Sequence, residues 1–286
     1  MGDSPSTPSS PMPTMDSQRL VEAGSGMTAS ARIERILILG GTVEARRLAD
    51  ALGGRAGLLV TLSLAGRTAE LLPQPAPVRI GGFGGAEGLA EYLCAERIEL
   101  LIDATHPYAD AISFNAARAA DQAQVRLLAI RRPPWKRVDD DRWIEAANVE
   151  DAVRALGAGP RRVFLALGRN ELQPFAASPQ HVYLIRSVDP VDPPLAVPQA
   201  LYITARGPFG EAEDRALLEQ HRIDIVIAKN SGGDATYGKI AASRALGLPV
   251  VLLKRPALPE VPSVATVEEA LGWLDHAGTC SAARGV

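Results

Sequence analysis

Asp103-Ala104-Thr105-His106-Pro107-Tyr108 closes an apolar run at 98–102 and sets an imidazole and a phenol two residues apart in one turn. Either group can move a proton or hold a ring in place, and either can equally be a hydrogen-bonded structural residue. A second turn, Lys229-Asn230-Ser231-Gly232-Gly233-Asp234-Ala235-Thr236-Tyr237-Gly238-Lys239, follows the apolar run at 223–228. Its glycines, lysines and hydroxyls are out of order for a phosphate loop. A basic, hydroxyl-rich glycine turn at a helix start still reads as an anion site, with Tyr237 and Lys239 at its far end. Arg206-Gly207-Pro208-Phe209 and Gly168-Arg169-Asn170 end neighbouring runs and bring Arg206, Gly207 and Arg169 to the same side. Cations and amides at several strand ends suit a substrate with several carboxylates. The alternative is a second α/β half with idle loops.

Upstream, Gly40-Gly41-Thr42-Val43-Glu44-Ala45 joins an apolar run at 36–39 to a helical pattern. Laid over the dinucleotide fingerprint, Gly40 takes the first glycine position, Thr42 the second and Ala45 the third. Thr42 departs from the glycine that usually admits a pyrophosphate, but it can cap the helix and leave the amides after Gly41 for an anion. Glu44 suits the helix dipole, yet would repel a phosphate if aimed at it. Between Asp50 and Glu70 there is no acid to hold ribose hydroxyls, the usual NAD signal. That segment instead ends Ser63-Leu64-Ala65-Gly66-Arg67-Thr68, where hydroxyl, guanidinium and hydroxyl suit a 2′-phosphate and favour NADPH. The alternative there is a solvated loop. Gly82, Phe83, Gly84 and Gly85 follow the next short run and allow close backbone approach to a ligand, unless Phe83 simply plugs the core. Thr105, His106 and Pro107 lie where a nicotinamide would reach.

The elements that must hold these turns come in two similar sets. Strands are expected at 35–39, 58–64, 78–80, 98–103 and 125–131, with helices from 43 and at 86–96 and 111–123. A second set has strands at 163–167, 181–186, 201–204, 223–228 and 250–253, with helices at 211–220 and 237–246. In both, a strand, a polar turn and an Ala-rich helix lead to a strand ending in Arg-Pro, at Arg132-Pro133 and Arg255-Pro256. Short apolar strands alternating with helical periodicity predict an α/β fold of mostly parallel sheets in two halves, with a cleft between them. Residues 31–135 form the expected cofactor domain, 136–160 a linker with a bridging helix, and 161–275 the expected substrate domain. Residues 1–30, rich in Ser, Pro, Thr and Gly, read as a disordered leader, and 276–286 as a tail.

A chain of 286 residues with 47% hydrophobic residues accommodates two such cores. A formal net charge of -3 gives no basis for a nucleic-acid surface. No apolar run reaches a membrane span, so a cytoplasmic protein is expected. Cys94 and Cys280 make neither a metal spacing nor a disulfide framework, and Cys94 is read as a small buried residue of a helix. No metal site is expected.

Taken together, Gly40-Gly41-Thr42-x-Glu44-Ala45, the Asp103-to-Ala109 motif with Ile112-Ser113 and Asn115-Ala116, Gly207-Pro208-Phe209 and Lys229-x-Ser231-Gly232-Gly233 resemble the precorrin-6A reductase family of cobalamin biosynthesis. The Lys254-Arg255-Pro256 exit fits too, and the resemblance covers about residues 33–275. It implies two Rossmann-like domains with a tetrapyrrole bound between them. It also implies NADPH-dependent reduction of one ring double bond, giving precorrin-6B. The acetate and propionate arms of such a substrate match the cationic strand ends. Hydride would pass to a ring carbon and a proton to its neighbour, from Tyr108 or His106 if the protein supplies it. The conjugated macrocycle is itself an electron sink, so positioning and water exclusion can suffice. Transient handover to neighbouring pathway enzymes is expected. The alternatives are the same reaction on cobalt-precorrin-6A, an NADPH reductase of another polycarboxylate, and a nucleotide sensor that reduces nothing.

Overall fold

The chain forms two six-stranded parallel sheets in the computed structural model, which describes residues 33–66 and 73–277. The expectations for the leader, for Arg67 and Thr68, and for the chain beyond 277 lie outside the described residues. The first half begins β1 (Arg35–Leu39), α1 (Val43–Gly53), β2 (Leu59–Leu64), β3 (Val78–Ile80) and α2 (Ala86–Ala95). It continues with β4 (Leu100–Asp103), α3 (Asp110–Gln122) and β5 (Arg126–Ile130). Next come β6 (Arg142–Ala146), α4 (Val149–Ala155), β7 (Arg162–Ala166), β8 (Val182–Ser187), β9 (Ala200–Thr204) and α5 (Glu211–Gln220). The last elements among the described residues are β10 (Ile225–Lys229), α6 (Gly238–Ala245), β11 (Pro249–Leu253), β12 (Ser263–Val264) and α7 (Val267–Ala277).

The sheets run β3-β2-β1-β4-β5-β12 and β9-β8-β7-β10-β11-β6. Both have the doubly wound order of a Rossmann-like fold, with a switch point between the first and fourth strands. The central strands are apolar throughout because helices cover both faces: Ile36, Leu37 and Ile38 are fully buried, as are Ile225, Val226 and Ile227. One core of the first half packs α1 and α7 on the sheet, and another packs α2 and α3 on its other face. Among the described residues no helix is long and apolar enough to cross a membrane, and no cluster of His, Cys, Asp or Glu could hold a metal.

Two divisions of the chain differ from the sequence reading. The stretch expected as a linker belongs to the second half: β6 pairs with β11, from Pro249↔Arg142 to Leu253↔Ala146, and Ala152 of α4 sits in that core. Conversely, β12 pairs with β5 at Ser263↔Ala129, and Val267 and Ala270 of α7 join the first core. The first half therefore receives its sixth strand after the chain has passed through the whole second half, whereas β6 to β11 of the second half are continuous in sequence. A strand two residues long has no readable periodicity, and its partner is set by the tertiary fold. Cys94 is also corrected, for it is exposed. The buried stripe of α2 is Ala86, Leu89 and Leu93, and the residue after Leu93 is rotated about 100° away from it.

Candidate functional site

In both sheets the loops at the carboxyl ends of the strands meet across the junction, the edge where open α/β sheets bind ligands. The first of these is the turn after β1. Gly40 packs so tightly that a Cβ would lie 2.7 Å from Leu62 Cδ1, while Gly41 has φ +107 and open space around it. Thr42 caps α1 by accepting the Ala45 N–H at 3.1 Å, and its hydroxyl donates to the Ala104 carbonyl at 2.7 Å. That bond spans the switch point between β1 and β4. Capping leaves the Val43 and Glu44 amides as open donors at the helix start, which fits a pyrophosphate. Glu44 does not oppose one, because its carboxylate pairs with Arg132 Nη1 at 2.6 Å. A narrow cleft lined by Thr42, Glu44, Ala104, Thr105, Pro107, Ile130 and Arg132 opens here. A larger cavity of about 740 Å³ lies beside α6, away from these groups.

Two more loops complete this edge. Gly40 N–H donates to the carbonyl of buried Ser63 at 2.9 Å, and Gly66 turns the chain out of the sheet with φ +69. In the turn after β3, Arg79 donates to the carbonyls of Gly81 and Gly82 at 2.7 and 2.9 Å. Its guanidinium lies 3.7 Å from the Phe83 ring centroid, and Phe83 packs edge-on against Tyr92. Phe83 is thus an anchor for the loop. Gly84 and Gly85 both have positive φ, with Gly85 at the start of α2.

After β4, buried Asp103 organises the motif that follows it. One carboxylate oxygen accepts the Thr105 amide at 3.1 Å and hydroxyl at 2.6 Å; the other accepts Ser113 and Arg131 at 2.7 Å each. His106 Nδ1 accepts the Tyr108 N–H at 3.3 Å, which leaves the ring proton on Nε2. Burial, reinforced by Arg132, Lys229, Arg255 and Lys239, pushes the His106 pKa down to about 3. The ring is therefore neutral at ordinary pH, able to donate a hydrogen bond but not to act as an imidazolium acid. The Tyr108 hydroxyl is engaged twice, donating to the Leu253 carbonyl and accepting the Asn230 N–H at 2.8 Å. Burial pushes its pKa up to about 12, against a smaller lowering by the Asn230 amide and Arg255. Both expected proton donors are thus positioned as hydrogen-bonding groups.

The turn after β10 is packed against the crossing between β5 and β6. At Gly232, with φ +69, a Cβ would fall 2.1 Å from the Pro133 carbonyl oxygen and 2.6 Å from Arg255 Nη2. Gly233 also has positive φ, and its carbonyl accepts the Trp135 indole N–H at 2.8 Å. Asn230 clasps the Trp135 backbone on both sides, accepting its N–H at 2.8 Å and donating to its carbonyl at 3.1 Å. Arg255 donates to the carbonyls of Asn230, Arg132 and Ser231 at 2.8, 2.7 and 2.9 Å. Arg132 Nε holds the Ser231 carbonyl from the other side at 2.7 Å.

The cations of the second half divide into two kinds. Arg169 and Arg206 are exposed at strand ends, with Gly207 beside the Phe209 ring. Lys229 Nζ is 2.6 Å from Glu171 Oε1 and 5.1 Å from the Tyr108 ring centroid, so an internal carboxylate spans the switch point between β7 and β10. Lys239, expected to face a substrate, is 4% exposed. It donates to the Thr236 carbonyl, lies 5.0 Å from the Trp135 ring centroid, and is pushed down to about 7 by burial and then by Arg186, with Asp214 opposing. Tyr237 packs on Trp135 and accepts a bond from Arg244. The sequence reading missed Arg132, Glu171 and the clasp made by Arg255. The repeated Arg-Pro exits at 132–133 and 255–256 were the one available signal, and these two exits meet in the fold.

Comparison with known proteins matches this geometry to one family. The profile described as Precorrin-6x reductase CbiJ/CobK matches residues 35–275. A precorrin-6A reductase of Sinorhizobium sp is 53% identical over 255 residues, covering 89% of this chain and 98% of the relative. That of Rhodobacter capsulatus is 48% identical, covering 86% and 98%. A cobalt-precorrin-6A reductase of Priestia megaterium is 27% identical, covering 82% and 95%. Among solved structures, CobK precorrin-6A reductase aligns with a TM-score of 0.83 at 47% identity, over 86% of this chain and 98% of that one.

Proposed function

Because this chain belongs to the precorrin-6x reductase family, we propose that it reduces a ring double bond of precorrin-6A to give precorrin-6B, using NADPH, in cobalamin biosynthesis. It is an oxidoreductase acting on a CH–CH group. Relatives named for precorrin-6A at 48–53% identity, against 27% for a cobalt-precorrin-6A reductase, favour the metal-free macrocycle. A cytoplasmic location and transient handover of the macrocycle to pathway neighbours belong to the same reading.

The observation that carries this reading is the meeting of the two glycine turns at one junction, with Arg132 touching both. On one side the turn after β1 offers helix-start amides whose adjacent carboxylate is neutralised. On the other, the turn after β10 carries Lys229, 5.1 Å from the ring centroid of Tyr108 in the first half.

A bound nicotinamide supplies the hydride. Gly40, Gly41, Thr42 and the α1 amides receive the pyrophosphate, and Ser63, Arg67 and Thr68 receive the 2′-phosphate. Gly82–Gly85 line the adenosine side. Thr105, held by Asp103, and Pro107 wall the reacting end. Neutral His106 offers Nε2–H as a hydrogen bond to substrate or cofactor, and Tyr108 holds the halves in register. The proton comes from water, since the electron-accepting macrocycle needs no strong acid beside it. Arg169 and Arg206 meet peripheral carboxylates, and Lys229 offers them the donors left over from Glu171. Lys239, Asn230 and Tyr237 shape the turn from behind.

The test is anaerobic incubation of the protein with NADPH and precorrin-6A, following the tetrapyrrole spectrum and NADPH absorbance together. Equal consumption of both is expected. NADPH binding without turnover would reject the substrate assignment.

A further inference from the structure

We propose that Arg132 is a positioning residue that couples the two sites, so that nucleotide bound at the turn after β1 tightens the turn after β10, and the reverse. The inference rests on the functional reading above for what fills each turn. One guanidinium makes both contacts: Nη1 to Glu44 Oε2 at 2.6 Å and Nε to the Ser231 carbonyl at 2.7 Å. The group is planar and rigid, so moving one partner reorients the donor that serves the other. The side chains of Arg132 and Glu44 are 17% and 22% exposed, which limits screening by salt.

Little slack exists on the Ser231 side. Arg255 holds the same carbonyl and its neighbour, and the Gly232 backbone lies directly against Pro133, next in the chain to Arg132. A shift of Arg132 therefore moves, or is resisted by, the whole Ser231–Gly233 turn.

Charge gives the coupling its sign. Glu44 lies in the first turn of α1, where the open amides would draw a pyrophosphate. An arriving anion repels the Glu44 carboxylate towards Arg132, strengthening that pair and with it the hold on Ser231. A substrate that orders the Ser231–Gly233 turn likewise fixes Arg132 where it neutralises Glu44, and so favours the anion. The two effects are equal in free energy by linkage.

The experiment measures NADP⁺ dissociation constants with and without saturating precorrin-6A, anaerobically, since NADP⁺ cannot reduce the substrate. In the unmodified protein precorrin-6A should tighten NADP⁺ by about fivefold or more. Arg132→Gln and Glu44→Gln should each bring that ratio close to one, and the double variant should change it no further. Arg132→Gln alone should also weaken binary NADP⁺ binding, because Glu44 is left unpaired, and Glu44→Gln should restore it. A purely structural role for Arg132 would weaken both constants and keep their ratio. Retained ratios in both single variants, or no tightening in the unmodified protein, would overturn the coupling. If Arg132→Gln does not fold, the ratio in Glu44→Gln decides alone. Failure of the unmodified protein to reduce precorrin-6A with NADPH would instead overturn the functional reading itself.

Discussion

The phenol oxygen of Tyr108 accepts the backbone N–H of Asn230 at 2.8 Å, tying the turn after β4 in one half to the turn after β10 in the other. The same hydroxyl donates to the Leu253 carbonyl at the end of β11. One side chain thus satisfies two backbone groups of the opposite half and sets the register of the junction.

Tyr108→Phe removes both bonds and leaves that N–H and that carbonyl only their longer bond to each other, at 3.4 Å. It should destabilise the protein by about 1–3 kcal/mol in denaturant unfolding and raise the substrate KM more than it lowers kcat. A kcat loss of a thousandfold with unchanged stability would instead make Tyr108 the proton donor. No alkaline limb of the rate profile below about pH 12 should belong to it, because burial raises its pKa that far.

His106 should shape acid stability. Its ring titrates near 6.5 in the unfolded chain and near 3 in the folded one. As pH falls from 6.5 towards 3, the unfolded chain takes up a proton that the folded ring refuses, so stability is lost across that window. His106→Asn should lose less over the same range, read as the difference between two pH-dependent unfolding curves. Superimposable slopes would show that the ring is not held neutral.

Lys239 acts at the other end of the scale. Burial, then repulsion by Arg186, lowers its pKa from 10.5 to about 7. Raising pH from 7 to 10.5 strips the unfolded chain of a proton that the folded chain already lacks, and up to that point the folded state gains. Lys239→Met should remove this rise, with its largest stabilising contribution at or below about pH 7. A slope unchanged from the unmodified protein would mean that Lys239 stays charged when buried.

Gly232→Ala should be severe. The new Cβ would sit 2.1 Å from the Pro133 oxygen in a backbone with φ +69. The loss should exceed the roughly 1–3 kcal/mol of backbone strain alone, seen as a lowered Tm together with a raised substrate KM. Unchanged Tm and KM would show that the turn can move away from the crossing.

Arg67→Ala tests the cofactor preference. Losing charge-assisted bonds to a 2′-phosphate should weaken NADPH by about tenfold or more while leaving NADH affinity nearly unchanged. Equal weakening of both would remove the 2′-phosphate from this turn.

Much of the fold was legible because its signals are local. Apolar runs of three to seven residues between helical patterns marked ten of the strands, the glycines of the turn after β1 announced a tight exit, and Thr42 is the cap its position predicted. Pattern and spacing alone therefore determined two parallel α/β halves with polar turns at corresponding strand ends. Tertiary structure decided which half owns β6 and α4 and which owns β12 and α7, since sheet-edge pairing leaves no trace in the period of the edge strand. It also decided what the polar groups do. Lys239 and Asn230 looked like ligand donors by type, yet one is buried beneath Trp135 and the other clasps its backbone. Arg132 and Glu44 are 88 positions apart, and Tyr108 and Leu253 are 145 apart. Backbone periodicity is a property of neighbours in the chain, whereas the charge state and partners of a side chain follow from groups that only folding brings within a few ångströms.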